Sequence, residues 1–155
     1  MSAGGAPKGS LYFHFPGGKE QLAAEALTQS SAHLRDTLRA LLAEGDTDTV
    51  FDTLAATLTY SDFQRGCPLA TVALDAAGGS EQIRQACVDG FESWRAALEE
   101  FLRDKGIGED RATEIATVAL AMIEGGLLLA RTRRDLAPLR AVADHFRSTL
   151  ERELP

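Results

Sequence analysis

The chain has 155 residues, 45% of them hydrophobic and 25% charged, which excludes a disordered segment and fits one domain with its own core. Sixteen basic residues against 23 acidic ones give a net charge of −7, so a uniformly basic nucleic-acid coat is excluded too. Lys8 and Lys19 are the charged residues of the first 19, a local +2 that leaves −9 on residues 20–155. Two cysteines, Cys67 and Cys87, are too few for a disulfide framework or a zinc site, and the residues after Met1 carry no apolar leader. A reducing cytoplasm is the expected compartment.

Breakers divide the chain at Pro16-Gly17-Gly18, Glu44-Gly45-Asp46, Gly66-Cys67-Pro68, Gly78-Gly79-Ser80, Gly106-Ile107-Gly108 and near Pro138. The intervening pieces have helical lengths and no alternating strand pattern, so the expected fold is all-α. Leu27, Leu34, Leu38 and Leu41 share one helical stripe, and Phe51, Leu54, Ala55 and Leu58 make the next. Ser80 is positioned to cap a helix whose stripe runs Ile83, Cys87, Phe91, Trp94, Leu98 and Phe101. Residues 110–131 are apolar on more than one face, and residues 115–130, interrupted by Thr117 and Glu124, read as a buried helix shorter than a membrane span. One small domain cannot cover so many faces. The expected second cover is another subunit: a homodimer through residues 110–131 and 138–152, with Ile123, Gly126, Leu127, Ala130, Val142 and Phe146 at the interface. Gly125 and Gly126 would admit a close helix crossing there, and the last helix presents Leu139, Val142, Ala143, Phe146 and Leu150 on one face.

Enzyme chemistry is not expected. His14, His33 and His145 are isolated, with no paired ligand at helical spacing, so no metal is predicted. Gly17-Gly18-Lys19 lacks the spacing and the hydroxyl of a phosphate loop, and Gly9-Ser10 lacks the second glycine of a nucleophile elbow. No catalytic residue and no cofactor is assigned.

The informative stretch is Gly9-Ser10-Leu11-Tyr12-Phe13-His14-Phe15, followed by the turn Pro16-Gly17-Gly18-Lys19-Glu20. It resembles the recognition-helix end of TetR-family transcriptional regulators. Together with Gly66-Cys67-Pro68-Leu69-Ala70 it is similar to the LmrA/YxaF-like branch. A short helix from Pro7 would present Lys8, Ser10 and Tyr12 to a DNA major groove, where ammonium and hydroxyl groups donate to phosphates or base edges. The resemblance implies phosphate contacts from Tyr12 and His14, joined by Lys19 at the start of the next helix. Tyr12, Phe13 and Phe15 read equally as an apolar plug, and for Phe15 the plug is the preferred reading. In the family two further helices precede this motif, and here residues 1–6 stand before it. Residues 1–20 are therefore expected to be a remnant of a helix-turn-helix, with operator DNA bound only when those helices are present.

For residues 21–155 the resemblance implies a ligand-binding and dimerisation bundle that encloses a small, largely apolar effector, with no membrane partner. Phe63, Cys67, Phe91, Trp94 and Met122 are the candidate wall residues, each open to a plain core reading, with Trp94 preferred because its indole N–H needs a partner when buried. Cys67 reads as an inert buried thiol before a redox sensor. Arg131, Arg133 and Arg134 suit the negative end of a helix. The implied function is a transcriptional repressor. The alternative is a ligand-binding, dimerising module that no longer binds DNA by itself.

Overall fold

Among the described residues, six helices occupy the intervals between the breakers from residue 18 onward. The computed structural model describes residues 13–44, 46–76 and 78–154, and the helices are α1 (Gly18–Ala43), α2 (Asp48–Tyr60), α3 (Pro68–Ala76), α4 (Glu81–Asp104), α5 (Glu109–Arg133) and α6 (Ala137–Glu153). Among the described residues there is no strand, and the fold is all-α.

Local chemistry sets the boundaries. Gly18, at φ 68°, takes the left-handed conformation that a glycine tolerates, and its N–H donates to Phe15 O at 2.8 Å, closing the turn that launches α1. Ser80 caps α4 from an extended conformation, its Oγ accepting from the Ile83 N–H, while its hydroxyl donates to Glu20 Oε2 at 2.7 Å. That second bond ties the start of α4 to the start of α1. α5 ends at Arg134, itself left-handed at φ 52°, with the Asp135 N–H donating back to Ala130 O. Arg131 and Arg133 lie in that last turn, where cations are favoured, and Arg134 reaches Asp62 Oδ2 at 2.6 Å.

α4 is the central helix, packed against α1, α3 and α5; α6 packs on α5, and α2 lies between α1 and α6. One apolar cluster joins α2, α4, α5 and α6 around the fully buried Leu58, Leu102 and Leu139, and a second joins α1, α3 and α4 around Leu27, Leu69, Cys87 and Trp94. Gly90 makes the α1–α4 crossing possible. A Cβ there would stand 2.5 Å from Leu69 Cδ2 and 3.0 Å from Ser31 Cβ.

α5 passes the length and composition test for a membrane span despite Thr117 and Glu124, contrary to the expectation from its sequence. Packing assigns it instead: Ala112, Ile115, Ala116, Ala119, Gly126, Leu127 and Ala130 are buried within the chain. The residues expected at a subunit interface need correction for the same reason. Gly126, Leu127, Ala130 and Phe146 are buried inside one chain, and Ile123 and Val142 pack against the same core. α6 folds back onto α5 so closely that a Cβ on Gly126 would lie 3.0 Å from Val142 Cγ2, whereas one on Gly125 would meet nothing. The large apolar side chains of α5 left exposed are Val118, Leu128 and Leu129.

Candidate functional site

The apolar stripes of α1 and α2 do not close on each other. Between them and the flanks of α4 and α5 remains a cavity of about 200 Å³. Leu34, Leu38 and Leu41 come from α1, and Val50, Leu54 and Leu58 from α2. Trp94 and Leu98 of α4 and Leu120, Ile123 and Leu127 of α5 complete an almost wholly apolar wall, which the segment 65–68 borders.

Polar groups on this wall are few, and most are already engaged. The Trp94 Nε1–H donates to Ser31 O at 2.9 Å, so the ring faces the cavity with its one donor satisfied by α1. Thr37, Thr53 and Thr57 each donate to the carbonyl four residues earlier on their own helix. Cys67 precedes α3 and accepts the Ala70 N–H on its sulfur at 3.4 Å. Burial, and then the nearby Glu124 carboxylate, push the Cys67 thiol up to about 12, so it stays protonated. A thiol held protonated is a poor nucleophile.

Glu124 is the exception. Burial raises its carboxyl above the usual range, and the nearby Cys67 thiol pulls it partly back. Its Oε2 is the buried side-chain oxygen left without a hydrogen-bond partner among the described residues. A buried, unpaired carboxylate oxygen is costly and therefore uncommon. Sequence reasoning noted Glu124 only as an interruption of an apolar run. The signal that could have found it was that interruption: one acid within a run of apolar residues on a helix covered on most sides.

Of the five expected wall residues, Cys67 and Trp94 line the cavity and three do not. Phe63 sits in the left-handed turn after α2, at φ 59°, and packs against the larger core cluster. Phe91, one turn before Trp94, stands edge-on to its ring at 5.6 Å and belongs to the α1–α3–α4 cluster. Met122 lines a separate hollow with Arg111, Glu114, His145 and Thr149, because about 100° of helical rotation per residue turns it from the Ile123–Glu124 side of α5 towards α6. Of the expected DNA-contacting residues, Lys8, Ser10 and Tyr12 lie outside the described residues. His14 and Lys19 are exposed, the first beside the Phe13 ring at 5.2 Å and the second in the first turn of α1. The two therefore sit at the N-terminal end of the helix whose later turns wall the cavity.

The family described as "Transcriptional regulator LmrA/YxaF-like, C-terminal domain" matches residues 45–145. The chain is 38% identical over 154 residues to the HTH-type transcriptional regulator LmrA of Bacillus subtilis, covering 96% of this chain and 81% of that one. It is 39% identical over 160 residues to an uncharacterized HTH-type transcriptional regulator of Mycobacterium tuberculosis, covering 97% and 81%. The crystal structure of Escherichia coli NemR in its reduced form superposes with a TM-score of 0.76 at 25% identity, covering 92% of this chain and 79% of that one.

Proposed function

This chain belongs to the TetR family of transcriptional regulators, as an LmrA/YxaF-like member, and from that premise we propose that it is a repressor whose helical body dimerises and binds a small, largely apolar effector. It is a regulator of transcription and not an enzyme. The observation that carries the effector reading is the position of the cavity. Its wall includes Leu34, Leu38 and Leu41 of α1, the helix that opens at the Pro16-Gly17-Gly18 turn beside His14 and Lys19. Across its 26 residues α1 rises about 39 Å, so a molecule wedged against its later turns bears on a lever whose other end adjoins the recognition motif. The effector acts by shifting α1 and with it the spacing of two DNA-reading ends. The protein works in the cytoplasm.

The second copy docks on the uncovered face of α5. Val118, Leu128 and Leu129 are exposed there, and Gly125 leaves open space between them. Apolar side chains in a row on one helix favour a self-complementary contact. Two measurements test the reading. Sedimentation equilibrium at micromolar concentration should give a dimer, and Leu129→Glu a monomer with unchanged helix content; a monomeric parent protein overturns the dimer. Titration with 1-decanol should change the emission of Trp94, the single tryptophan of the chain, and, with the two preceding helices of the family supplied, should weaken binding to labelled DNA from upstream of its own gene. Unchanged emission at saturating alcohol overturns the effector site. DNA affinity that is absent with and without the alcohol would favour the module that no longer binds DNA by itself.

A further inference from the structure

We infer that the ligand of this cavity carries a cationic N–H donor, a protonated amine on an apolar body, which it presents to Glu124. The inference rests on the effector-site reading above and concerns the polar end of the ligand.

The argument is an inventory of hydrogen-bonding capacity. The indole and hydroxyl protons set into the apolar wall are engaged, Trp94 with Ser31 O, and Thr37, Thr53 and Thr57 with their own helix carbonyls. The buried side-chain atom left unengaged is an acceptor, Glu124 Oε2, with the threonine lone pairs beside it. A ligand carbonyl or carboxylate would meet acceptors and be repelled; a donor would be received. Arg65 is the one cationic side chain bordering the cavity, but it is exposed, and among the described residues no lysine or arginine forms an ion pair with Glu124.

Charge then separates an ammonium from a neutral hydroxyl. A carboxylate in an apolar wall gains more from a charged donor than from a neutral one, because charge-assisted bonds are about twice as strong. The body of the protein carries −9 over residues 20–155, which raises the local concentration of cations. Leucines on both sides of the cavity accept the apolar remainder.

A decyl series holds the apolar body constant and changes the head: decylamine, decyltrimethylammonium, 1-decanol and decanoate, each titrated by calorimetry into the full chain at pH 7. Decylamine should bind at least tenfold tighter than 1-decanol and tighter than decyltrimethylammonium, which has the charge and no N–H; decanoate should bind weakest. Glu124→Gln should cost decylamine at least tenfold while moving 1-decanol less than threefold, with the folded state checked by circular dichroism. Decanoate binding as tightly as decylamine, or a decylamine affinity indifferent to Glu124→Gln, overturns this inference and leaves the effector site standing. Failure of the whole series to bind, 1-decanol included, overturns both.

Discussion

α1 and α4 are nearly equal in length, 26 and 24 residues, and each carries one apolar stripe with the same three-and-four spacing, yet the stripes meet different surroundings. On α4, Ile83, Cys87, Trp94, Leu98 and Phe101 are all buried. On α1 only Leu27 and Leu42 of the leucines are; Leu34 keeps 38% of its surface, and Leu38 and Leu41 stand half-buried at the cavity. Periodicity states which face of a helix turns inward. Whether that face is filled depends on what the other helices bring to it, and α4 has neighbours on three sides where α1 has a gap before α2. On the function proposed above, the filled helix is scaffold and the unfilled one is what a ligand moves.

The largest test of that contrast is Leu102→Ala. Leu102 is fully buried on α4, so its loss should leave a cavity the core cannot close and cost about 3 kcal/mol in urea unfolding. Gly90→Ala should come next. Alanine favours a helix interior by about 1 kcal/mol over glycine, but a methyl 2.5 Å from a side-chain atom of fully buried Leu69 overpacks the crossing by about 1–3 kcal/mol. The net should be a lowered unfolding midpoint, and a raised one would mean that α4 has slack against α3 and α1.

Glu124→Leu should act in the opposite direction. Removing a buried, half-satisfied carboxyl relieves a penalty on the order of 1 kcal/mol, so the thermal midpoint at neutral pH should rise. Its pH dependence has a definite sign. Because the folded chain holds the Glu124 proton above the ordinary value of 4.5, the folded state binds more protons than the unfolded one in that window, and stability falls as pH rises through it. Glu153 and Glu81, held below their ordinary range by Arg111 and Arg84, contribute the reverse: stability present above 4.5 and lost as pH falls through their depressed values. In Glu124→Leu the slope above 4.5 should flatten while the acid limb below it stays as before.

Much of the fold was legible because its signals are local. The helix order, the Ser80 cap and the stripes of α4 and α6 depend on residues three or four apart, and each appears as read. The site was less legible because it depends on how helices meet. Met122 and Ile123 are neighbours in sequence and equally apolar, yet one faces α6 and the other the cavity. Leu127 and Phe146 looked like interface residues because apolar pattern alone does not say how much of each face α5 and α6 bury against each other within one chain. Only the packed structure shows that Glu124 faces leucines and a thiol and that one of its oxygens has no partner.

The smallest effect on stability should come from Leu34→Ala, and it is the direct counterpart of Leu102→Ala. Both remove the same three carbons from the apolar stripe of a long helix. Leu34 already borders empty space, so the substitution enlarges an existing cavity instead of opening a new one, and little further surface leaves the core. The expected cost is below about 1 kcal/mol, partly offset because alanine is the better helix former. Ligand binding should tell the two apart: Leu34→Ala should loosen 1-decanol severalfold by withdrawing wall contacts, whereas Leu102→Ala, away from the cavity wall, should leave the affinity of the folded fraction nearly unchanged. Equal unfolding costs for the two leucines would show that the α1 stripe is packed as tightly as that of α4, and the contrast between scaffold and movable helix would then fail.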